Sequence, residues 1–216
     1  MLWHRRYGCF ATLEVFNDEI TTVNGYILAM ENFKQLVFPV YSTNYEEGCG
    51  FFVGSHFFTS GHVVSNAKDP FIIINGCKIN LVNPILYKYD SKDSSGFDLA
   101  IYKVADYVGP LELYYGTIDS DMNLISVSYR KLGEEYIECR VDVKDFEGNY
   151  FIGLTDKILK SGSSGSPVLL GNKVVGVMTA GNNNGDNTPC NPNLPINLCM
   201  FLSSNAIFNI LKDIKL

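Results

Sequence analysis

Residues 160–168 read Lys-Ser-Gly-Ser-Ser-Gly-Ser-Pro-Val, a loop of small residues with four hydroxyls, and the apolar run 174–178 follows closely. A serine hydroxyl that attacks a carbonyl needs a base, an acceptor that orients the base, and N–H donors for the oxyanion that forms. Glycines beside a serine leave space for backbone N–H groups to face the same point as the hydroxyl. The loop is therefore either a plain turn or the presentation of a nucleophile.

The position of the histidines limits which class of hydrolase the loop can belong to. His4, His56 and His62 all precede the loop. An α/β-hydrolase carries its histidine after the nucleophile, so the residue order excludes that class. The G-x-S-x-G elbow of that class also fails, because Ser166 stands where its second glycine would be.

Two upstream residues offer the base and its orienting acid. His62 follows the run Phe-Phe-Thr-Ser-Gly at 57–61, which predicts that it lies at the end of a strand. Asp98 directly precedes an apolar run that begins at Leu99. Taken singly, His62 could be a structural histidine, and Asp98 could be a solvated residue at the end of a strand. Asp93 and Asp90 are the next candidates for the acid.

Three motifs together resemble those of the trypsin-like, or chymotrypsin-fold, serine proteases. They are Thr-Ser-Gly-His-Val-Val at 59–64, Phe-Asp-Leu-Ala at 97–100 and Gly-Ser-Ser-Gly-Ser-Pro at 162–167. Their order of His, Asp and Ser is that of the family's catalytic triad. The motif style is similar to that of HtrA-type and glutamyl-endopeptidase-like bacterial proteases, without a PDZ domain. The likeness extends over residues 48–216.

The resemblance implies a role for each site residue. Ser164 would be the nucleophile, His62 the general base and then the general acid, and Asp98 the acceptor that fixes the imidazole. The N–H groups of Gly162 and Ser164 would form the oxyanion hole. Three other hydroxyls compete within the loop, and the family's G-x-S-G frame selects Ser164 over them: Ser161, Ser163 and Ser166.

The register of the resemblance also implies a primary specificity pocket. Its base should lie near Ile158 and Leu159, and one wall should be Thr179, Ala180 and Gly181. Because no acid stands at the base, we expect no preference for Lys or Arg, and a medium apolar or aromatic side chain fits best. The loop 182–195 either covers this pocket or is a plain surface loop.

Two departures from the family pattern concern activation and disulfides. Ser163 stands where digestive-type proteases carry an acid, so we expect no activation by burial of a new N-terminal ammonium. Val63 stands where many secreted relatives have a cysteine, so the disulfide beside the catalytic histidine cannot form.

Short apolar runs separated by turn residues indicate an all-β barrel or sandwich. The resemblance selects two six-stranded antiparallel Greek-key barrels with a C-terminal α-helix, in one domain over residues 1–216. We expect the following segments: an N-terminal hairpin extension at 1–30, a first barrel with His62 and Asp98 at 31–108, a second barrel with Ser164 at 111–202 and the helix at 203–216. Gly109-Pro110 would be the joint.

Composition and charge limit the compartment and the partners. The net charge of −6 without a basic run argues against nucleic acid, and no run of about 18 apolar residues could span a membrane. Six cysteines without a CxxC pair, and only Asp186 as an acid in the loop 182–195, predict neither a metal nor a cofactor. With no signal peptide visible, we expect a cytoplasmic protein with free thiols.

The resulting hypothesis is a serine endopeptidase that works through an acyl-enzyme, as an intracellular regulatory or effector protease. Its partner would be a protein or peptide substrate, and a regulatory protein could dock on the N-terminal segment. The alternative is a catalytically silent or latent trypsin-like fold that acts as a protein-binding module. A dedicated protease with a single natural target is a third reading.

Overall fold

The computed structural model describes residues 35–43, 46–65, 67–89, 96–130, 135–183 and 187–214. The N-terminal extension at 1–30, Asp90 and Asp93 lie outside the described residues. The elements in chain order are β1 Phe38–Tyr41, β2 Glu46–Gly54, β3 His56–Thr59, α1 Gly61–Ser65, β4 Phe71–Ile74, β5 Cys77–Asn80, β6 Leu86–Lys88, β7 Leu99–Lys103, β8 Gly109–Pro110, β9 Glu112–Leu113, β10 Leu124–Arg130, β11 Glu135–Glu147, β12 Tyr150–Thr155, β13 Pro167–Leu170, β14 Lys173–Gly181, β15 Leu198–Ser203 and α2 Ser204–Ile214.

The first sheet is an antiparallel half-barrel. Its strand order is β5-β4-β1-β2-β3-β7-β6, and β8 pairs with the end of β2. Strands β2 and β3 form its centre. Each carries two neighbouring phenylalanines that are almost fully buried: Phe51 and Phe52 on β2, and Phe57 and Phe58 on β3. Aromatic residues fit a pleated, buried surface, so this run of rings favours strands over helix. The strand β3 then leads directly into α1, which carries His62.

The second sheet is a closed barrel of six strands. The order is β13-β10-β11-β12-β15-β14, and pairing of β13 with β14 closes it. The longest strand, β11, buries Cys139, Val141 and Val143 on one face and exposes the charged residues between them. This is the alternation expected of a strand with one face on a core. Its charged face explains why a search for short apolar runs does not find it.

A shared core joins the two sheets. One buried cluster contains Phe51, Phe58 and Ile101 from the first sheet together with Leu169 and Val177 from the second. Apolar burial of this kind is the main favourable contribution to folding and packs at crystal-like density. The two sheets therefore hold a fixed relation to each other at the line where they meet.

The C-terminal helix α2 begins where the sequence indicates. The Ser203 hydroxyl accepts a hydrogen bond from the Ala206 N–H at 3.1 Å, which is an N-cap. Ala206 and Ile207 are buried against the shared core. Within the described residues no helix has the length and apolar character needed to cross a membrane.

The predicted fold class is confirmed as all-β and chymotrypsin-like with a C-terminal helix. The second sheet is the expected six-stranded barrel. The first sheet, over the residues described, is a half-barrel with β5 and β6 at its edges rather than a closed ring. Gly109-Pro110 is the last strand segment on the first sheet, and β9 directly afterwards pairs with β14 of the second.

Candidate active site

His62 is held by both oxygens of one carboxylate. Its Nδ1 lies 2.6 Å from Asp98 Oδ2, and its backbone N–H donates to Asp98 Oδ1 at 2.8 Å. With a proton on Nδ1 shared with the carboxylate, Nε2 carries the lone pair of the neutral ring. The side chain of His62 is 30% exposed and that of Asp98 15%, so the ring can meet a substrate while its partner is shielded. The pair can act as an oriented general base.

The local fold explains where the His62 ring points. It is the second residue of α1, immediately after the end of β3. Ser60, just before the helix, donates its buried hydroxyl to the Met178 carbonyl on β14 of the second barrel at 2.9 Å. The ring of Tyr89 lies 6.0 Å from the imidazole, centroid to centroid. The histidine is therefore fixed beside the junction of the two sheets.

The four hydroxyls of the 160–166 loop differ in exposure. Ser166 is fully buried and its Oγ has no hydrogen-bond partner among the described residues. Ser163 is 5% exposed and its Oγ faces Ser128 Oγ at 3.4 Å. Ser161 is exposed and Ser164 half-buried. Burial removes Ser166 and Ser163 as nucleophiles, which leaves Ser164 and Ser161.

The backbone around Ser164 leaves two N–H groups free. Ser163 N–H donates to the Lys160 carbonyl at 3.1 Å and closes a four-residue turn, whose third residue, Gly162, has φ +95°. A positive φ at the third position is the mark of a type II turn. Neighbouring amides are used internally, but within the described chain the N–H groups of Gly162 and Ser164 donate to no protein acceptor. These are the two donors that an oxyanion hole requires.

The loop that contains Ser164 packs directly on β2 of the first sheet. The Ser164 carbonyl accepts from Cys49 N–H at 2.7 Å. A Cβ on Gly165, whose φ is +83°, would collide with the Cys49 carbonyl, so only glycine fits. A Cβ on Gly48 would stand 2.7 Å from both the Ser164 carbonyl oxygen and a methyl of Val63, the neighbour of His62. The sheets thus bring the Ser164 and His62 segments together.

The segments that carry Ser164 and His62 meet, but their two side chains are not hydrogen-bonded to each other. Across the described residues, no hydrogen bond links Ser164 Oγ to His62 Nε2. In unliganded enzymes catalytic hydrogen bonds are often long and tighten in the complex with substrate.

A pocket of about 290 Å³ adjoins Ser164. Three of the residues expected from the sequence line it: Leu159, Ala180 and Gly181. Ile158 instead lies 36% exposed at the surface, and Thr179 is buried with its hydroxyl on the Met200 carbonyl at 3.0 Å. The structure adds lining residues that sequence reasoning missed: Lys160, Ser161, Ser163, Met178 and Asn183. Lys160 is the one charged residue among the described lining.

The described part of the 182–195 loop is tied down beside the pocket. The buried Asn182 amide donates to the carbonyls of Asn191, Leu194 and Pro195, each at 3.0 Å, and its Oδ1 accepts from Asn191 N–H at 2.7 Å. Asn183 donates to the Leu159 carbonyl at 2.8 Å across the pocket wall. The loop therefore shapes the rim of the pocket. The sequence of this loop has six asparagines and three prolines, and nothing in it indicates that Asn182 would be the residue that anchors it.

No group of His, Cys, Asp and Glu in the described part of the chain is arranged to hold a metal ion.

The two sheets and the site at their junction define the class: the fold is that of the trypsin-like serine proteases. The active form of the Rv3671c protease from M. tuberculosis is similar with a TM-score of 0.65, 17% identity and 94% of each chain covered. The HtrA-type protease AlgW has a TM-score of 0.62 and 12% identity, over 84% of this chain and 64% of that one. An inactivated protease paralogue of the scabies mite, S-D1, has a TM-score of 0.64 and 13% identity, over 85% of this chain and 93% of that one.

No protein-family model matches the sequence, and no curated protein matches it significantly. At identities below one fifth, the structural likeness establishes the fold, and the chemistry has to be argued from the site.

Proposed function

We propose that the protein is a serine endopeptidase. In the first step Ser164 Oγ attacks the carbonyl carbon of a peptide bond while His62 Nε2 takes the hydroxyl proton. Asp98 holds the ring in the tautomer that leaves Nε2 free and stabilises the imidazolium that forms. The N–H groups of Gly162 and Ser164 donate to the oxygen that becomes negative.

The second half of the reaction reuses the same groups. The tetrahedral intermediate collapses as His62 gives its proton to the leaving amine, which departs and leaves an ester on Ser164. A water molecule then loses a proton to His62 and attacks the ester. The new carboxylic acid leaves as the proton returns to Ser164 Oγ, and the enzyme is regenerated.

The observation that carries this proposal is the turn at Gly162. Among the described residues, its N–H and that of Ser164 have no protein acceptor, whereas the amide of Ser163 between them and that of Gly165 beside them do. Both residues are partly exposed, so the two donors are available to a ligand. An anionic ligand would also suit two such donors, but the His62–Asp98 pair supplies the base that acyl transfer needs.

We propose an intracellular regulatory or effector role for the protease. No disulfide joins the described cysteines to one another: Cys49, Cys77, Cys139, Cys190 and Cys199. Cysteines without disulfides suit a reducing compartment, and the loop held beside the pocket suits a restricted set of substrates. We do not expect nucleic acid or membrane to be a partner, and a regulatory protein remains a candidate partner for the N-terminal segment.

Mapping of new protein N-termini tests the proposal. Wild-type protein and Ser164→Ala are incubated with a cell extract, and N-termini are identified by mass spectrometry. We expect internal cuts that appear with wild type alone, confined to few proteins if the role is regulatory. Cuts that are the same with both proteins, or none with wild type in the extract and in a peptide library, would refute an endopeptidase.

The alternative is a latent or silent fold that binds proteins. It is favoured by one observation, the missing hydrogen bond between Ser164 Oγ and His62 Nε2 in the described structure. A fluorophosphonate probe separates the two, because it needs an activated serine but no particular substrate sequence. Labelling of wild type and not of Ser164→Ala supports the enzyme. No labelling of a folded wild-type protein favours the latent fold.

A further inference from the structure

The thiol of Cys49 lies against the oxyanion turn. Its Sγ is 3.0 Å from the Gly162 carbonyl oxygen and 3.6 Å from the Tyr129 carbonyl oxygen, so its single proton is donated to the nearer Gly162 oxygen. The sulfur accepts from the Tyr129 N–H at 3.2 Å. Cys49 is fully buried on β2, in the sheet opposite the turn. The sulfur therefore bridges β2, the end of β10 and the nucleophile loop.

Peptide geometry shows why the Gly162 carbonyl matters. The oxyanion donors belong to the peptide planes 161–162 and 163–164, and one plane, 162–163, lies between them. That plane is held at its amide end by the Ser163 bond to Lys160 and at its carbonyl end by the Cys49 thiol. Peptide planes are rigid and turn only about the bonds that join them. Holding the middle plane therefore limits the direction of both donors.

The rest of Cys49 is fixed by the same region. Its N–H holds the Ser164 carbonyl, and its carbonyl accepts from Thr59 Oγ1 at 2.6 Å. Gly165 packs on that carbonyl so closely that a Cβ would not fit. The sulfur is thus held where it cannot shift without disturbing the contacts between β2 and the loop.

We propose that Cys49 is a positioning residue for the oxyanion hole, whose thiol fixes the plane between its two donors. The inference rests on the proposed function for its effect on catalysis. It goes beyond that function in assigning the shape of the turn to a side chain that touches neither the substrate nor the reacting atoms. A residue of this kind should change kcat, because the donors bind the oxyanion in the transition state, and leave KM nearly unchanged.

The kinetic test compares four variants of the whole chain on one peptide substrate. Cys49→Ala removes the hydrogen bond, Cys49→Val removes it while filling the space, and Cys49→Ser restores a donor. Cys139→Ala is the matched control: it deletes an equally buried thiol, whose pKa burial raises to about 12, from the core of the second barrel. Circular dichroism and thermal melting show which variants are folded.

We expect Cys49→Ala and Cys49→Val to lower kcat about 10- to 100-fold with KM within about twofold, as small displacements of catalytic groups do. Cys49→Ser should recover most of the loss, and Cys139→Ala should keep kcat although it melts at a lower temperature. Unchanged kcat in a folded Cys49→Ala or Cys49→Val variant overturns the proposal. So does a Cys49→Ser variant as slow as Cys49→Ala.

Hydrogen exchange separates this inference from the proposed function. The amides of Ser163 and Tyr129 should exchange faster in Cys49→Ala than in wild type, return in Cys49→Ser and stay unchanged in Cys139→Ala. If wild type hydrolyses nothing, the proposed function fails, and exchange alone decides whether the thiol fixes the turn. Equal exchange in wild type and Cys49→Ala overturns the inference.

Discussion

His62 and Ser164 lie on opposite sides of the same junction, and they are positioned in different ways. His62 donates both of the hydrogen bonds that hold it to a single side chain, that of Asp98, which directly precedes β7 of the first sheet. Ser164 is positioned by backbone bonds to residues of both sheets, from Cys49 N–H to its carbonyl and from Gly165 N–H to the Met178 carbonyl.

The difference shows that the His62 ring is oriented by a side chain, whereas Ser164 is placed by the packing of its backbone. The proposed base, His62, depends on one carboxylate, so a change of that side chain should cost activity with little effect on folding. The loop of the proposed nucleophile, Ser164, depends on close backbone packing, so changes there should cost stability as well. The following predictions test this contrast, and their expected effects decrease in order.

The largest effect should come from removing either reacting group. Ser164→Ala and His62→Ala should each lower kcat by about 10⁶-fold, and the double variant should be no slower, because the two groups act as a unit. Pre-steady-state and steady-state rates on a peptide ester measure this. Ser166→Ala is the control in the same loop: it removes a buried hydroxyl without a partner, so activity and melting temperature should hold. Additive losses would refute a shared mechanism.

Asp98→Asn tests the histidine side of the comparison. The amide cannot accept the imidazole proton as a carboxylate does, so we expect kcat to fall about 10³- to 10⁴-fold through the wrong tautomer. The melting temperature should change little, since an asparagine Oδ1 can still accept the hydrogen bond from the His62 N–H. A rate close to wild type would exclude Asp98 as the orienting acid and turn attention to Asp93 or Asp90.

Gly165→Ala tests the serine side. The residue combines a φ of +83° with contact to the Cys49 carbonyl, so the loop has to move away from β2. We expect the free energy of unfolding to fall by about 3 kcal/mol or more, as overpacking and strain add. Gly171→Ala is matched, with φ +62° and open space, and should cost about 1 kcal/mol. Urea denaturation compares them, and equal losses would contradict the close packing.

The smallest effect concerns the pocket. Lys160 is the one charged residue among its described lining, so Lys or Arg substrates should be disfavoured against neutral ones. Lys160→Glu should raise kcat/KM for a P1 Lys substrate relative to a P1 Leu substrate by about tenfold, the ratio that 1.4 kcal/mol gives. An unchanged ratio at low salt would place the P1 side chain away from Lys160.

The sequence predicts most of the strands, and it predicts that His62 follows one strand and that Asp98 precedes another. Short apolar runs such as 99–104 and 174–178 correspond to β7 and β14, because strands buried on both faces are continuously apolar. The long strand β11 was missed because its buried residues alternate with Glu138, Arg140 and Asp142, a period-two signal that a search for runs does not detect.

Contacts between residues far apart in the sequence limit how much of the site can be predicted. Cys49 Sγ meets Gly162 across 113 positions and Tyr129 across 80, and no local pattern encodes such a contact. For the same reason, the sequence indicates only part of the lining of the pocket. Leu159 and Ala180 follow from the register, whereas Thr179 turns into the core and Lys160 borders the pocket only through the course of the loop.

A crystal structure with a peptide aldehyde tests the central claim most directly, because the adduct records the nucleophile, the base and the oxyanion donors together. We predict a bond from the aldehyde carbon to Ser164 Oγ, its oxygen within 3.1 Å of the N–H groups of both Gly162 and Ser164 as such donors require, and His62 Nε2 within hydrogen-bond reach. An adduct on another residue, or a wild-type protein that binds the aldehyde elsewhere with the Gly162 amide turned away, would contradict it.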